Sequence, residues 1–119
     1  MNTKIDPAEF GRLWADAWNR RDVDAVLAHF ADDVVFTSPV AQQVGFSSDG
    51  VVRGKPALRS YWLAALAKNP DLHFQVTAVY RGVDTLVIAF KNQHGIDRLE
   101  VLRFRGDVVF EGHGTFIVD

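Results

Sequence analysis

The stretch RLEVLRFRGDVVFEGHGT, Arg98 to Thr115, reads as two β-strands folded back on Gly106-Asp107. As a two-residue hairpin loop, that pair puts glycine at the first loop position, where a type II′ turn needs a positive φ. Arg105 then faces Val108. Counting outward sets Phe104 against Val109, Leu102 against Glu111, Glu100 against His113 and Arg98 against Thr115, all on one face because side chains alternate with period two. The opposite face carries Leu99, Val101, Arg103, Phe110, Gly112, Gly114 and Phe116. Neither face is wholly polar, so both are expected to be covered, one by the chain's own helices and the other by a second subunit. In this register a carboxylate, Glu100, stands opposite an imidazole, His113, inside one wall. A three-residue loop would slip the register by one and send His113 to the other face.

Working back from the hairpin, Leu72 to Tyr80 and Thr85 to Asn92 also alternate like strands, with turns near Arg81-Gly82 and at Gln93-His94-Gly95. Phe74, Val76, Ala78 and Tyr80 take one face of the first, and Leu86, Ile88, Phe90 and Asn92 one face of the second. Consecutive turns predict an antiparallel meander. The earlier part of the chain is helical. Asp6 as N-cap, Pro7 and Glu9 open a helix whose Phe10, Leu13, Trp14, Ala17 and Trp18 share a face up to Asn19-Arg20-Arg21. Asp22 caps a short second helix with Val26, Phe30 and Ala25 inward. Val34 to Thr37 are β-formers stopped by Ser38-Pro39, and residues 40–52 form an aperiodic loop placed to lie over a pocket mouth. Arg53-Gly54-Lys55-Pro56 starts a third helix with Leu58, Tyr61, Trp62, Ala65 and Leu66 on one face, ended by Asn69-Pro70.

With 119 residues the chain is read as a single domain, 1–119. It contains no cysteine, which excludes disulfides, thiolate metal sites and cysteine nucleophiles. A net charge of −2 with interspersed signs argues against nucleic acid as a partner, since such a surface needs a clustered basic stripe. No segment has the uncharged apolar length of a membrane span, and MNTKIDPAEF lacks the apolar core of a signal peptide, so a cytoplasmic location is expected. Helices first and strands afterwards mean α+β: a cone-shaped, curved antiparallel or mixed sheet with three N-terminal-half helices on its concave face.

That element order joins to particular residues: AWNRRD (17–22), FADDVVF (30–36), VRGK (52–55) and EVLRF (100–104). Together they resemble the nuclear transport factor 2-like superfamily, and within it the SnoaL-like small proteins related to ketosteroid isomerase. The resemblance implies a cystatin-like cone fold and a cofactor-independent chemistry, or none, because this fold hosts isomerases, cyclases, hydrolases, dehydratases, ligand binders and adaptors. The isomerase general base, an aspartate before a proline, corresponds here to Ser38 before Pro39. Its tyrosine donor corresponds to Trp14, and its protonated aspartate to Glu100. Only one of three roles keeps a carboxyl or its equivalent, so steroid isomerisation by that mechanism is not expected.

The candidate catalytic residues are therefore Glu100, an acid among apolar neighbours that needs either a partner or a raised pKa, and His113 as base or acid beside it. Their bland reading is a structural pair, Glu100 with Arg98, Arg103 or His113. Trp14, Trp18, Phe36, Ser38, Trp62, Phe74, Phe90, Phe104 and Glu111 are candidate substrate-binding residues, the aromatic ones serving equally well as core. His29, His73 and His94 do not converge with carboxylates, so no metal is expected. The leading expectation is a pocket for a small apolar, oxygenated ligand of polyketide, terpenoid or steroid type; if the protein is an enzyme, the chemistry is cofactor-free isomerisation, dehydration or hydrolysis by acid–base catalysis. The alternatives are a non-catalytic binder and a protein-interaction module. A homodimer through Leu99, Val101, Phe110 and Phe116 accompanies either.

Overall fold

A computed structural model of the chain describes residues 5–118, so the leader reading of the first ten residues falls partly outside it. Helix α1, Pro7–Asn19, begins as the capping signals require, with Asp6 accepting from the Ala8 and Glu9 backbone N–H groups. Helix α2 spans Val23–Leu27 and is capped by Asp22. Strand β1, Phe30–Thr37, starts three residues before Asp33, and Phe30 belongs to it rather than to α2. Ser38 does more than stop that strand. Its hydroxyl accepts from the Val40 N–H at 3.1 Å, and Pro39 occupies the first helical position of α3, Pro39–Gln43. The expected loop over 40–52 therefore begins with a helical turn, followed by β2, Val51–Arg53, and α4, Lys55–Lys68.

Strands β3 (Gln75–Gly82), β4 (Thr85–Lys91), β5 (Asp97–Arg105) and β6 (Val108–Gly114) form the antiparallel meander. The β3–β4 turn lies at Val83-Asp84, two residues beyond Arg81-Gly82, with Asp84 at φ +49°. Strand β6 pairs parallel with β1, and β2 closes the sheet antiparallel to β1, giving the order β2-β1-β6-β5-β4-β3. The fold is thus the expected α+β arrangement, a curved mixed sheet, with four helices instead of three.

Two bulges decide which side chains face the helices. In β3 the register jumps across Thr77, so Val76 and Val79 pack on the core and Tyr80 is turned out, 61% exposed. In β6 the Gly106-Asp107 loop is as read, with Gly106 at φ +64° and Arg105 opposite Val108, and Phe104 still faces Val109. Phe110 is then an unopposed residue, and the following pairs become Arg103↔Glu111, Leu102↔Gly112, Val101↔His113 and Glu100↔Gly114. Every expected pair beyond Phe104 is overturned by this one insertion. Gly112 and Gly114 face inward; Glu111 and His113 face outward.

The core lies between the inner sheet face and the helices, with Val26, Val34, Leu58, Leu86, Ile88, Leu102 and Val109 fully buried. At about 1.5–3 kcal/mol for each large apolar side chain, this layer is the main favourable term. Leu13, expected inward, is 41% exposed, and Gly11 takes the close contact instead: a Cβ there would meet a Val79 methyl at 2.8 Å. Gly112 is tighter. A Cβ at that position would lie 2.8 Å from Phe36 Cδ2 and 3.3 Å from Leu102 Cδ2, and Phe36 is itself wedged edge-on against Trp62. Gly112→Ala is expected to lose about 1–3 kcal/mol of unfolding free energy through overpacking, read as a lower urea midpoint. An unchanged midpoint would mean that Phe36 can move aside.

Candidate functional site

The inner face does not fill completely. A cavity of about 320 Å³ remains between the far end of α4, the start of β5 and the segment after β6. Its apolar walls include Trp18, Phe36, Trp62, Phe74 and Phe90. These rings hold one another in place: Trp18 and Trp62 meet edge-on with centroids 5.0 Å apart, and Phe74 and Phe90 lie 4.6 Å apart. Such rigid walls keep a void from collapsing.

The polar groups gather at one side. Glu100 points inward from the middle of β5 and is 9% exposed. Burial pushes its pKa from an ordinary 4.5 up to about 7, against the smaller opposing pulls of the Trp14 indole N–H and the Arg98 charge. The indole leans toward the carboxyl without completing a hydrogen bond, for Trp14 Nε1 and Glu100 Oε2 both lie buried without a partner among the described residues. Tyr61, from α4, donates its hydroxyl to Ser38 Oγ at 3.1 Å. Desolvation raises the Tyr61 pKa, the Ser38 hydrogen bond opposes this, and the nearby Glu100 charge adds to it. Ser38 already accepts from Val40 N–H and Tyr61 O–H, which leaves its own proton free to be donated. Arg98 sits two residues before Glu100 on the same strand face and also borders the cavity.

Of the expected substrate-binding residues, Trp18, Phe36, Ser38, Trp62, Phe74 and Phe90 line this cavity together with Glu100. Three do not. Trp14 lies behind the wall, stacked on Phe74 at 5.4 Å, where it reaches Glu100 but not the open space. Phe104 is core, edge-on to Phe10. Glu111 is on the outer sheet face, and so is His113, because the Phe110 bulge reverses the alternation after Val109. The expected Glu100–His113 pair is therefore split across the sheet. His113 instead takes the Thr37 hydroxyl on Nδ1 at 2.6 Å and directs Nε2 at Glu111, also at 2.6 Å. Since a carboxylate only accepts, Nε2 donates its proton toward Glu111.

Tyr61 and Arg98 were not among the expected site residues. The signal for Tyr61 was its phenol on an apolar helix face, since a buried hydroxyl must find a partner. For Arg98 it was the even spacing from Glu100. Among the described residues no group of three or more His, Asp or Glu side chains converges to hold a metal ion, and no helix is long and apolar enough to cross a membrane.

Comparison with known proteins identifies the family and agrees with the fold. The model of the SnoaL-like domain family matches residues 12–118. A crystal structure of a SnoaL-like protein of unknown function from Burkholderia thailandensis is 37% identical, with 94% of each chain covered and a TM-score of 0.87. An uncharacterized cystatin-fold protein from Novosphingobium aromaticivorans is 20% identical over 93% of this chain and 98% of its own, with a TM-score of 0.74. TerC, co-crystallized with polyporic acid, is 14% identical over 94% of this chain and 92% of its own, with a TM-score of 0.75. No curated protein matches.

The Glu100 carboxyl couples folding to pH. An unfolded glutamate ionises near 4.5, whereas the folded one keeps its proton to about 7. Between those values the native state binds more protons, so stability falls as pH rises and levels off above 7. The gap, about 7 minus 4.5, is worth about 3–4 kcal/mol at about 1.4 kcal/mol per pH unit. Glu100→Gln removes the ionisation, so its urea midpoint measured from pH 4 to 8 is expected to vary less than that of the wild type and to exceed it at pH 8. Parallel profiles for the two proteins would show that Glu100 is ionised at little cost.

Proposed function

Since this chain belongs to the SnoaL-like domain family, we propose that its cavity binds a flat, mostly apolar, oxygenated small molecule and that Glu100 exchanges a proton with it. The observation that carries the reading is a buried carboxyl, one oxygen of which lies without a hydrogen-bond partner among the described residues, bordering an aromatic-walled cavity. A carboxyl that titrates near 7 is poised to work either as acid or as base at neutral pH, which an exposed glutamate is not. Tyr61 and Ser38 are the complementary donors. The phenol feeds the serine hydroxyl, and the serine proton is free for a ligand oxygen that gains negative charge. The volume falls at the low end of the range common for small-molecule pockets, about 300–1,000 Å³. Support also comes from TerC, a protein of the same fold co-crystallized with polyporic acid. The chemistry this arrangement favours is proton transfer, isomerisation, dehydration or hydration without a cofactor.

The test uses 2-tetralone, an aromatic ketone with acidic C–H bonds, in deuterated buffer. The wild type is expected to speed α-hydrogen exchange over buffer, with Glu100→Gln slower by about 10²-fold, in the range of a lost general base. Binding of the ketone, seen as quenching of tryptophan emission, with exchange at the buffer rate would identify a binder that does no chemistry. Failure of a panel of flat apolar ketones to perturb the tryptophans would overturn the reading.

We also propose that the outer sheet face docks a second copy of the chain. Leu99 there is 45% exposed, Val101 and Phe110 are half-buried, and both charge signs occur on the face: Arg105 pairs with Asp33 at 2.8 Å and Arg103 lies 3.7 Å from Glu111. An isologous contact needs such self-complementarity. Phe116, expected to belong to this face, borders the cavity instead. Val101→Arg is expected to shift the sedimentation of a dimer to that of a monomer, and a wild type already monomeric at micromolar concentration would count against the proposal.

A further inference from the structure

The polar side of the cavity holds a cation whose donors are mostly unused. Arg98 is half-buried, and desolvation disfavours its charge; the nearby Glu100 and Tyr61 partly offset this. Its Nε donates to the Thr115 carbonyl at 2.9 Å, and its guanidinium lies over the Phe116 ring at 4.4 Å. These two contacts fix the plane of the group from an edge and a face. Its terminal nitrogens have no hydrogen-bond or ion-pair partner among the described residues. Glu100, whose charge acts on it, does not approach within ion-pair distance, and burial pushes its pKa up to about 7. Among the cavity's lining residues Arg98 is the one permanent charge.

Resting on the small-molecule reading above, we propose that the ligand carries a carboxylate, which docks on the two terminal nitrogens of Arg98 while its apolar body lies between Phe74, Phe90 and Trp62. A planar guanidinium held by its third nitrogen presents the remaining N–H groups as a fork, and a carboxylate is the group that matches a fork with two charge-assisted hydrogen bonds. Successive inward positions on a strand lie about 6–7 Å apart. A ligand anchored by its acid at Arg98 therefore sets the carbons next to that acid, rather than the acid itself, before Glu100. The carboxylate is then a handle, and the reacting centre is a more distant part of the same molecule. This assignment also accounts for the ring under the guanidinium: Phe116 covers one face, so the charge is kept flat without losing an N–H donor to another side chain.

The experiment compares 2-naphthoate with 2-naphthamide, of the same shape and without charge, at pH 6, by quenching of tryptophan emission and by chemical shifts of the amides of β5. The wild type is expected to bind the acid at least tenfold more tightly than the amide. Arg98→Gln is expected to weaken the acid by at least tenfold while leaving the amide within about twofold, so the amide reports that the pocket is still folded. Arg98→Lys should recover part of the loss, because it restores charge but not the fork. Equal affinities of the wild type for acid and amide, or equal losses of both in Arg98→Gln, overturn the carboxylate and leave an apolar pocket standing. If neither probe quenches the tryptophans or shifts β5 at millimolar concentration, the pocket reading fails and this inference fails with it.

Discussion

One unopposed residue, Phe110, decides what the interior of this protein receives. Between Phe30↔Val109 and Val35↔Glu111, strand β1 advances five residues while β6 advances two, and on its other side β6 gains one residue on β5. Both irregularities fall at the same height of the sheet. A bulge bends its strand and increases its twist, and two adjacent ones bend the sheet there. The curl leaves room under the concave side for helices at one end and a void at the other. It also reverses the alternation of β6, so glycines face inward beside Phe36 and Ser38 where bulky or charged residues would otherwise stand.

From that curvature follows the unusual state of Glu100. Its partner across β5–β6 is Gly114, which has no side chain to offer, and the indole N–H that leans toward it is held in a stack against Phe74. Buried polar groups are ordinarily satisfied, because an unmade hydrogen bond in a dry interior costs more than a made one returns. Here the cost is lowered by neutralising the carboxyl instead of pairing it. Burial among these side chains is what pushes its pKa up. Stability near neutral pH is thus reduced by the same burial that raises the carboxyl's pKa.

Element types and order were legible in the sequence because they rest on local signals. Asp6-Pro7, Asp22, the face Leu58-Tyr61-Trp62-Leu66 and the Gly106-Asp107 loop each depend on residues within a turn or two of one another. The inner wall from Trp18 to Phe90 was legible for the same reason, since it repeats with helix and strand periods. What failed was counting along strands beyond a few residues. Nothing in Val108-Val109-Phe110-Glu111 or in Val76-Thr77-Ala78 marks a bulge: no glycine sits at either insertion, and both runs suit an unbroken strand. Each bulge is imposed by pairing with distant residues and by packing against helices, so the placement of His113, Glu111 and Tyr80 was beyond local reasoning. Helix α3 was hidden in the opposite way, by signals with two meanings: Ser38-Pro39 both ends a strand and starts a helix.

The two glutamates on either side of the sheet show why fold alone does not assign chemistry. Glu111 accepts from His113 at 2.6 Å and lies 3.7 Å from Arg103, so its charge is matched where it stands, and Thr37 completes the chain on the far side of the imidazole. That network has the residue types of a charge-relay site, but it lies on a pleated sheet surface whose backbone N–H groups are committed to strand pairing. Glu100 has the opposite endowment: one oxygen without a partner, a void before it, a serine proton and a guanidinium nearby. With Phe110 in the ladder, Glu111 and His113 would turn inward beside Glu100, which β5 holds on that face in either register.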